Sequence, residues 1–233
     1  MGAWSTTMTN VIDDPKLKTL LARLHRDSEI QTKQMEEFIA LERAANKPMP
    51  GPDVIKKFLS DKMVALEPDK ANFCYQLCRA LNAKRVVEVG TSHGVSTLYL
   101  AAAACDNVSE SGGKCVVIGT EYEPAKAKAA RANFAEAGLA ECIDLREGDL
   151  RETLKEFGGS VDFVLVDIWV EMARPALELI APHLHTGSVV ITDNTKSYRA
   201  AYNDYFDFIA NPANRLRTMT LPFSGGLELT VRV

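Results

Sequence analysis

The sequence predicts an α/β fold: a doubly wound, mostly parallel sheet with helices on both faces. Three observations predict it. Five short apolar runs alternate with helical patterns from residue 85 onward. The first run, Val86-Val87-Glu88-Val89, passes through a glycine loop, Gly90-Thr91-Ser92-His93-Gly94, into a Leu/Ala-rich helix beginning at Val95. Polar residues close four successive strands, at Glu121, Asp149, Asp167 and Asp193-Asn194, and α/β sheets bind their ligands at those ends.

Composition narrows the function classes. A chain of 233 residues suits one such domain with an appendage and can bury a full core. The net charge is −4 and no basic run stands out, which argues against nucleic acid as a partner. No apolar run is long enough to span a bilayer, so no membrane partner is expected. Five cysteines, an odd number, and no secretory leader pattern suggest a reducing, cytoplasmic setting. Cys74 and Cys78 share one predicted helix face, where small buried apolar residues are favoured over a metal pair. Met1-Gly2 with Thr6 matches a myristoylation pattern, but no polybasic second signal follows.

In chain order, residues 1–13 carry no periodic pattern. Leu17, Leu20, Leu21 and Leu24 form an amphipathic stripe after Pro15, and Met35, Phe38 and Ile39 continue it to about residue 43. The proline-rich stretch 46–52 then interrupts any helix. Residues 1–60 read as a helical arm, serving as a lid, a dimer arm or plain packing, and its apolar stripe leads us to expect a homodimer. Residues 61–233 form the main domain. A helix from Pro68 carries Cys74, Leu77, Cys78 and Leu81 on one face. After the glycine loop, the helix runs to about 104 and a polar loop spans 106–114. Strands follow at 115–118, 143–145, 161–166 and 188–192, and helices at 124–137, 150–157, 171–184 and 198–210, with Lys126, Lys128 and Arg131 forming a solvated face. Segments 215–221 and 227–233 flank Phe223-Ser224-Gly225-Gly226 as a closing antiparallel hairpin.

The glycine spacing is G-x-x-x-G, not the G-x-G-x-x-G of a dinucleotide site, and suits a ligand whose polar end is an amino acid. Missing side chains at Gly90 and Gly94 would let the backbone approach that ligand. Glu121 can accept both hydroxyls of a ribose, or can simply favour the helix N-terminus ahead of Pro124. Asp149 can accept from an adenine amino group or cap the helix that follows. Glu88, inside an apolar strand, needs a donor, and a ligand amine or a nearby N–H would serve. Asp167, Asp193 and Asn194 should end neighbouring strands about 5 Å apart. Their oxygens suit a hard cation such as Mg²⁺, or the two acids cap helices and hold no metal.

The loop V-E-V-G-T-S-H-G-V-S-T resembles motif I of the S-adenosylmethionine-dependent methyltransferases. With Glu121, E-G-D at 147–149, V-D-F-V-L-V-D at 161–167, I-T-D-N-T at 191–195 and the ending L-P-F-S-G-G-L-E-L-T-V, residues 60–233 resemble the cation-dependent O-methyltransferases of the caffeoyl-CoA and catechol group. The resemblance implies a Rossmann-like, seven-stranded sheet in the order 3-2-1-4-5-7-6 with the last strand antiparallel. It implies S-adenosylmethionine along Glu88, Gly90, Ser92, Gly94, Ser96, Glu121, Tyr122, Asp149, Asp167 and Trp169. It implies a divalent cation, Mg²⁺ by preference, on Asp167, Asp193 and Asn194. The implied activity is methyl transfer to a hydroxyl of a small, aromatic acceptor.

One position departs from the pattern. Members of that group carry a lysine base three residues after the first metal aspartate; here the stretch is Asp167-Ile168-Trp169-Val170. Val170 cannot move a proton, which leaves His93 and Lys196, beside Asp167, as candidates for the catalytic role. Rival readings are a metal-independent N- or O-methyltransferase and a cofactor-binding module without chemistry.

Overall fold

The computed structural model describes residues 11–44 and 52–233. Eight α-helices among these residues are α1 (Pro15–Ala44), α2 (Pro52–Leu59), α3 (Pro68–Ala80), α4 (Val95–Ser111), α5 (Pro124–Ala137), α6 (Leu150–Thr153), α7 (Val170–Ile180) and α8 (Asn203–Ala210). The strands are β1 (Arg85–Val89), β2 (Val116–Glu121), β3 (Ile143–Glu147), β4 (Val161–Val166), β5 (Leu184–Asp193), β6 (Leu216–Leu221) and β7 (Leu227–Arg232). They form one sheet in the order β3-β2-β1-β4-β5-β7-β6. β1 to β5 pair in parallel, and β7 runs antiparallel to both β5 and β6. The expected order and closing hairpin are both present.

Strand alternation sends successive side chains to opposite faces and makes two cores. Val86, Val117, Phe163, Leu165 and Ile191 pack with α1, α3, α4 and α5. Val87, Val89, Ile118, Val164 and Val190 pack with α6, α7 and α8. Glu88 shares the pleat of Val86 and so points under α4.

Several boundaries differ from the sequence reading. α4 continues to Ser111 and stops at Gly112, so two thirds of the expected 106–114 loop is helix. β5 begins at Leu184, where a 3₁₀ turn at Ala181–His183 ends α7 early. The segment before Asn203 forms turns instead of the first part of α8. Lys126 is half-buried on α5, and burial lowers its ammonium pKa, so it is not part of a solvated face.

The N-terminal stripe is spent within the chain. Leu17, Leu20, Leu21 and Leu24 are buried in the core beside α4 and α5. That packing removes the observation on which the homodimer expectation rested. The proline-rich break at 46–52 and the myristoylation pattern lie almost wholly outside the described residues.

Candidate active site

A cleft opens over the glycine loop, between Met63–Leu66 on one side and Gly90, Ser92, His93, Ser96 and Asp167 on the other. α1 fixes its outer wall. Ser28 Oγ donates to the Met63 carbonyl at 3.2 Å and accepts the Ala65 N–H at 2.9 Å; Gln31 Oε1 accepts the Met63 N–H at 2.7 Å. The N-terminal helix therefore helps build the cleft.

Glu121 ends β2 and is buried. Its Oε2 accepts the Ser92 N–H at 2.6 Å, and its Oε1 accepts the Glu123 N–H at 2.8 Å. One N–H on each oxygen orients the carboxylate and leaves acceptor capacity on both for a vicinal diol. Glu88 is fully buried beneath the same loop. Its Oε2 accepts from Thr91 Oγ1 at 3.0 Å and from Thr97 Oγ1, whereas Oε1 is buried with no partner. Burial raises the Glu88 pKa to about 7, against the opposing hydrogen bonds of Ser96, Thr97 and Thr91. A diol acceptor beside a buried carboxylate oxygen without a donor fits a ligand carrying a ribose and an ammonium.

The two loop glycines also make room for neighbouring protein. Both have positive φ, but a Cβ on Gly90 would lie 2.0 Å from the Asp167 carbonyl oxygen, and a Cβ on Gly94 would lie 2.3 Å from the Phe134 ring. They admit neighbouring protein: β4's end at Gly90 and α5 at Gly94. Asp149 is the N-cap of α6. It accepts the Arg151 N–H at 2.9 Å, and the Arg151 guanidinium grips its carboxylate. Those Arg151 hydrogen bonds hold its pKa down at about 2. The capping alternative describes Asp149, whose carboxylate is engaged and not held out toward an adenine. Tyr122 is 71% exposed and Trp169 41% exposed, with Lys56 Nζ 5.5 Å from the indole centroid. Trp169 is thus a surface wall and not a core residue.

At the ends of β4 and β5, Asp167 and Asp193 come together as their strand pairing requires. Asp167 lines the cleft, and burial, followed by the nearby Asp193 and Glu88 charges, pushes its carboxyl pKa well above the ordinary carboxylate range. Lys70, in the first turn of α3, was not anticipated. It has no exposed surface, and its Nζ donates to Asp193 Oδ1 at 2.6 Å and pairs with Glu67 Oε2 at 2.8 Å. Burial alone would lower the Lys70 pKa, but the hydrogen bonds to Asp193 and Glu67 raise it. Asn194 Nδ2 donates to Asp193 Oδ2 at 2.8 Å. Each Asp193 oxygen thus accepts one hydrogen bond, and the Lys70 ammonium already sets a positive charge at the acid where a cation on the three expected ligands would bind. The sequence did hold a signal for Lys70: it stands one and two turns before Cys74 and Cys78, on the face already read as buried.

A family model described as Methyltransferase domain matches residues 87–195. Over 132 residues the chain is 31% identical to the Catechol O-methyltransferase of Mycobacterium tuberculosis (strain ATCC 25618 / H37Rv), a match covering 56% of this chain and 57% of that protein. The fold matches cofactor-bound Rv0187 from MTB with a TM-score of 0.68 at 24% identity, covering 96% of this chain and 92% of that one. It matches an O-methyltransferase from Bacillus cereus in complex with SAH with a TM-score of 0.65 at 20% identity, covering 93% and 100%. Residues 87–195 thus match a methyltransferase domain, and the chain has the fold of the class I S-adenosylmethionine-dependent methyltransferases. It spans a little over half the length of the curated relatives it matches.

Within this methyltransferase the two candidate bases separate. His93 lines the glycine-loop cleft, and burial, then the Lys126 charge, lowers its pKa, so its imidazole is neutral near pH 7. Lys196 lies against the Gly225-Gly226 turn and lines a second groove, with Arg199, Phe206 and Thr218. Val170 packs against the apolar core beneath α7. Among the described residues, Cys105, Cys115 and Cys142 form the group of thiols and acids whose ligand atoms lie close enough to hold a metal. Cys115 and Cys142 immediately precede β2 and β3, so this thiol cluster sits at the amino ends of the strands. The cofactor cleft is at the carboxyl ends, about 20 Å away along a six-residue strand. Any cation held there is remote from the reacting groups. No helix among the described residues is long and apolar enough to cross a membrane.

Proposed function

We propose that this chain transfers the methyl group of S-adenosylmethionine to a hydroxyl of a small, hydroxylated aromatic molecule. The observation that carries this reading is the Glu121 carboxylate, oriented by the Ser92 and Glu123 N–H groups at the lip of the glycine loop. In it, Glu121 receives the ribose hydroxyls. Gly90, Ser92 and Ser96 line the methionine end, and Glu88 is buried beneath that loop. S-adenosylmethionine, when bound, supplies a methyl group activated by its sulfonium. The protein's part is to align the acceptor oxygen, exclude water and remove the hydroxyl proton. His93 lines the same cleft as a neutral imidazole and is the base in this reading. Trp169, exposed at the start of α7, forms a wall for a flat acceptor. The name Catechol O-methyltransferase, borne by the M. tuberculosis relative, favours an acceptor with adjacent hydroxyls. Divalent-cation assistance at Asp167, Asp193 and Asn194 would require displacement of Lys70 and is not part of this reading.

The test is calorimetric titration with S-adenosylmethionine, followed by measurement of S-adenosylhomocysteine release across catechol and other hydroxylated aromatics. Binding with turnover of at least one hydroxylated aromatic is expected. Binding with no methyl transfer to any of them would favour the second reading, a cofactor-binding module, for which Val170 in place of a lysine is the specific observation.

A further inference from the structure

We propose that Lys70 is a built-in cation that occupies the place of a divalent ion at Asp193, so that this methyltransferase binds no metal at its strand-end acids and works without one. The functional half rests on the reading of the chain as an O-methyltransferase; the binding half stands on geometry alone.

Four observations carry it. The Lys70 ammonium and the Asp193 carboxylate are both withdrawn from solvent, with 0% and 4% of their side chains exposed. A buried lysine persists only when paired, and here Asp193 at 2.6 Å and Glu67 at 2.8 Å pair it. Lys70 also stands in the first turn of α3, where the helix dipole disfavours a cation, so the acids and not the helix hold it there. The remaining Asp193 oxygen is taken by Asn194 Nδ2 at 2.8 Å.

The amide oxygen of Asn194 is turned away as well. A Cβ on Gly225 would lie 2.4 Å from Asn194 Oδ1, so that oxygen fills the space left by the missing side chain in the β6–β7 turn. A hard cation takes several oxygens at about 2.0–2.6 Å, and here Lys70 and Asn194 Nδ2 each hold an Asp193 oxygen while Asn194 Oδ1 lies at Gly225. A dication beside Asp193 would also face an ammonium bonded to the same carboxylate, two like charges in a site with little water to screen them. Lys70 therefore supplies what a metal would bring at this acid: a positive charge at the end of β5. It also ties α3 to β5 across 123 residues of sequence. Lys70 acts here as a positioning residue for Asp193.

The experiment is Mn²⁺ titration followed by electron paramagnetic resonance of the free aqua ion, on the full chain with Lys70 and Asp193 intact and without acceptor or S-adenosylmethionine. Cys105, Cys115 and Cys142 are changed to Ser to remove the thiol cluster as a competitor. The expected result is no loss of free-ion signal at millimolar Mn²⁺. Lys70→Gln in the same background should gain one bound ion per chain, and the gain should vanish in Lys70→Gln with Asp193→Asn. Where the Gln variant does not fold, the ¹⁵N signal of the buried lysine ammonium gives the second measurement. It should persist unchanged in excess Mg²⁺. One Mn²⁺ bound per chain with Lys70 and Asp193 intact, or loss of that ammonium signal on adding Mg²⁺, would overturn the proposal. Because neither of these binding readouts uses methyl transfer, an error about the acceptor leaves their outcome unaffected. With an acceptor in hand, excess EDTA should leave turnover unchanged, and turnover lost in EDTA and restored by Mg²⁺ would overturn the proposal as well.

Discussion

The backbone N–H of Ser92 donates to Oε2 of Glu121 across 2.6 Å, joining the first glycine loop to the end of the neighbouring strand. This bond makes Glu121 part of the loop's architecture as well as the ribose acceptor in the proposed function. Glu121→Ala removes two charge-assisted hydrogen bonds to a diol, each about 1.5–3 kcal/mol, so S-adenosylmethionine affinity should fall about 100-fold or more. Calorimetry on the folded variant measures it. An affinity within a few-fold of wild type would take Glu121 off the ribose.

His93 is the second case. As a general base its removal should lower kcat by roughly 10²-fold or more, with S-adenosylmethionine affinity retained. Burial lowers its pKa below the ordinary 6.5, so the active neutral form persists down to a pH below that value. The wild-type rate should hold level at neutral pH and fall only on the acid side of 6.5. His93→Gln should lose that acid limb. A variant that keeps both rate and limb would assign the proton to another group.

Glu88 gives a pH-dependent stability with a definite sign. Its carboxyl has the ordinary pKa of 4.5 when unfolded, and burial pushes it up to about 7 in the folded chain. Between those values the folded state holds the extra proton, so this group's contribution falls as pH rises through the window and is flat outside it. At about 1.4 kcal/mol per pKa unit, the loss is on the order of 3 kcal/mol. Denaturant unfolding of Glu88→Gln and wild type at pH 5 and pH 8 should show the variant gaining relative stability at the higher pH. Parallel profiles would mean that Glu88 is not the titrating group.

Gly94 tests the packing account of the loop. An added Cβ would meet the Phe134 ring at 2.3 Å from a backbone with φ of +80°. Gly94→Ala should therefore cost about 1–3 kcal/mol by overpacking and strain. Combined with Phe134→Ala, which makes room, the two losses should sum to less than their separate values. Strict additivity in thermal unfolding would separate Gly94 from Phe134.

Much of the fold was legible because its signals are local. The β-branched run before Gly90, the Pro124 that opens α5 and the apolar run over 161–166 each declare an element within a few residues. Helix and strand periods then set which side chains face a core. Where a local signal was ambiguous, the boundary moved: the polar end of α4 up to Ser111 read as a loop, because only packing on α3 and β2 keeps it helical. Glu121, Asp167 and Asp193 were legible as strand-end acids, since parallel strands bring their carboxyl ends together.

What the sequence by itself determined is the alternation of elements, the glycine loop and the row of acids at the strand ends. What only the tertiary structure decided is which partner each of those groups meets. The Leu17–Leu24 stripe is amphipathic in the sequence, but its cover, the chain's own core, depends on how α1 lies across α4 and α5. Asp149 caps α6 and pairs with Arg151. Lys70 reaches Asp193 across 123 residues because α3 docks with its first turn over the end of β5. No local propensity encodes that meeting: a lysine and an aspartate far apart in the chain carry no mutual signal until burial, which makes each intolerable alone, brings them together.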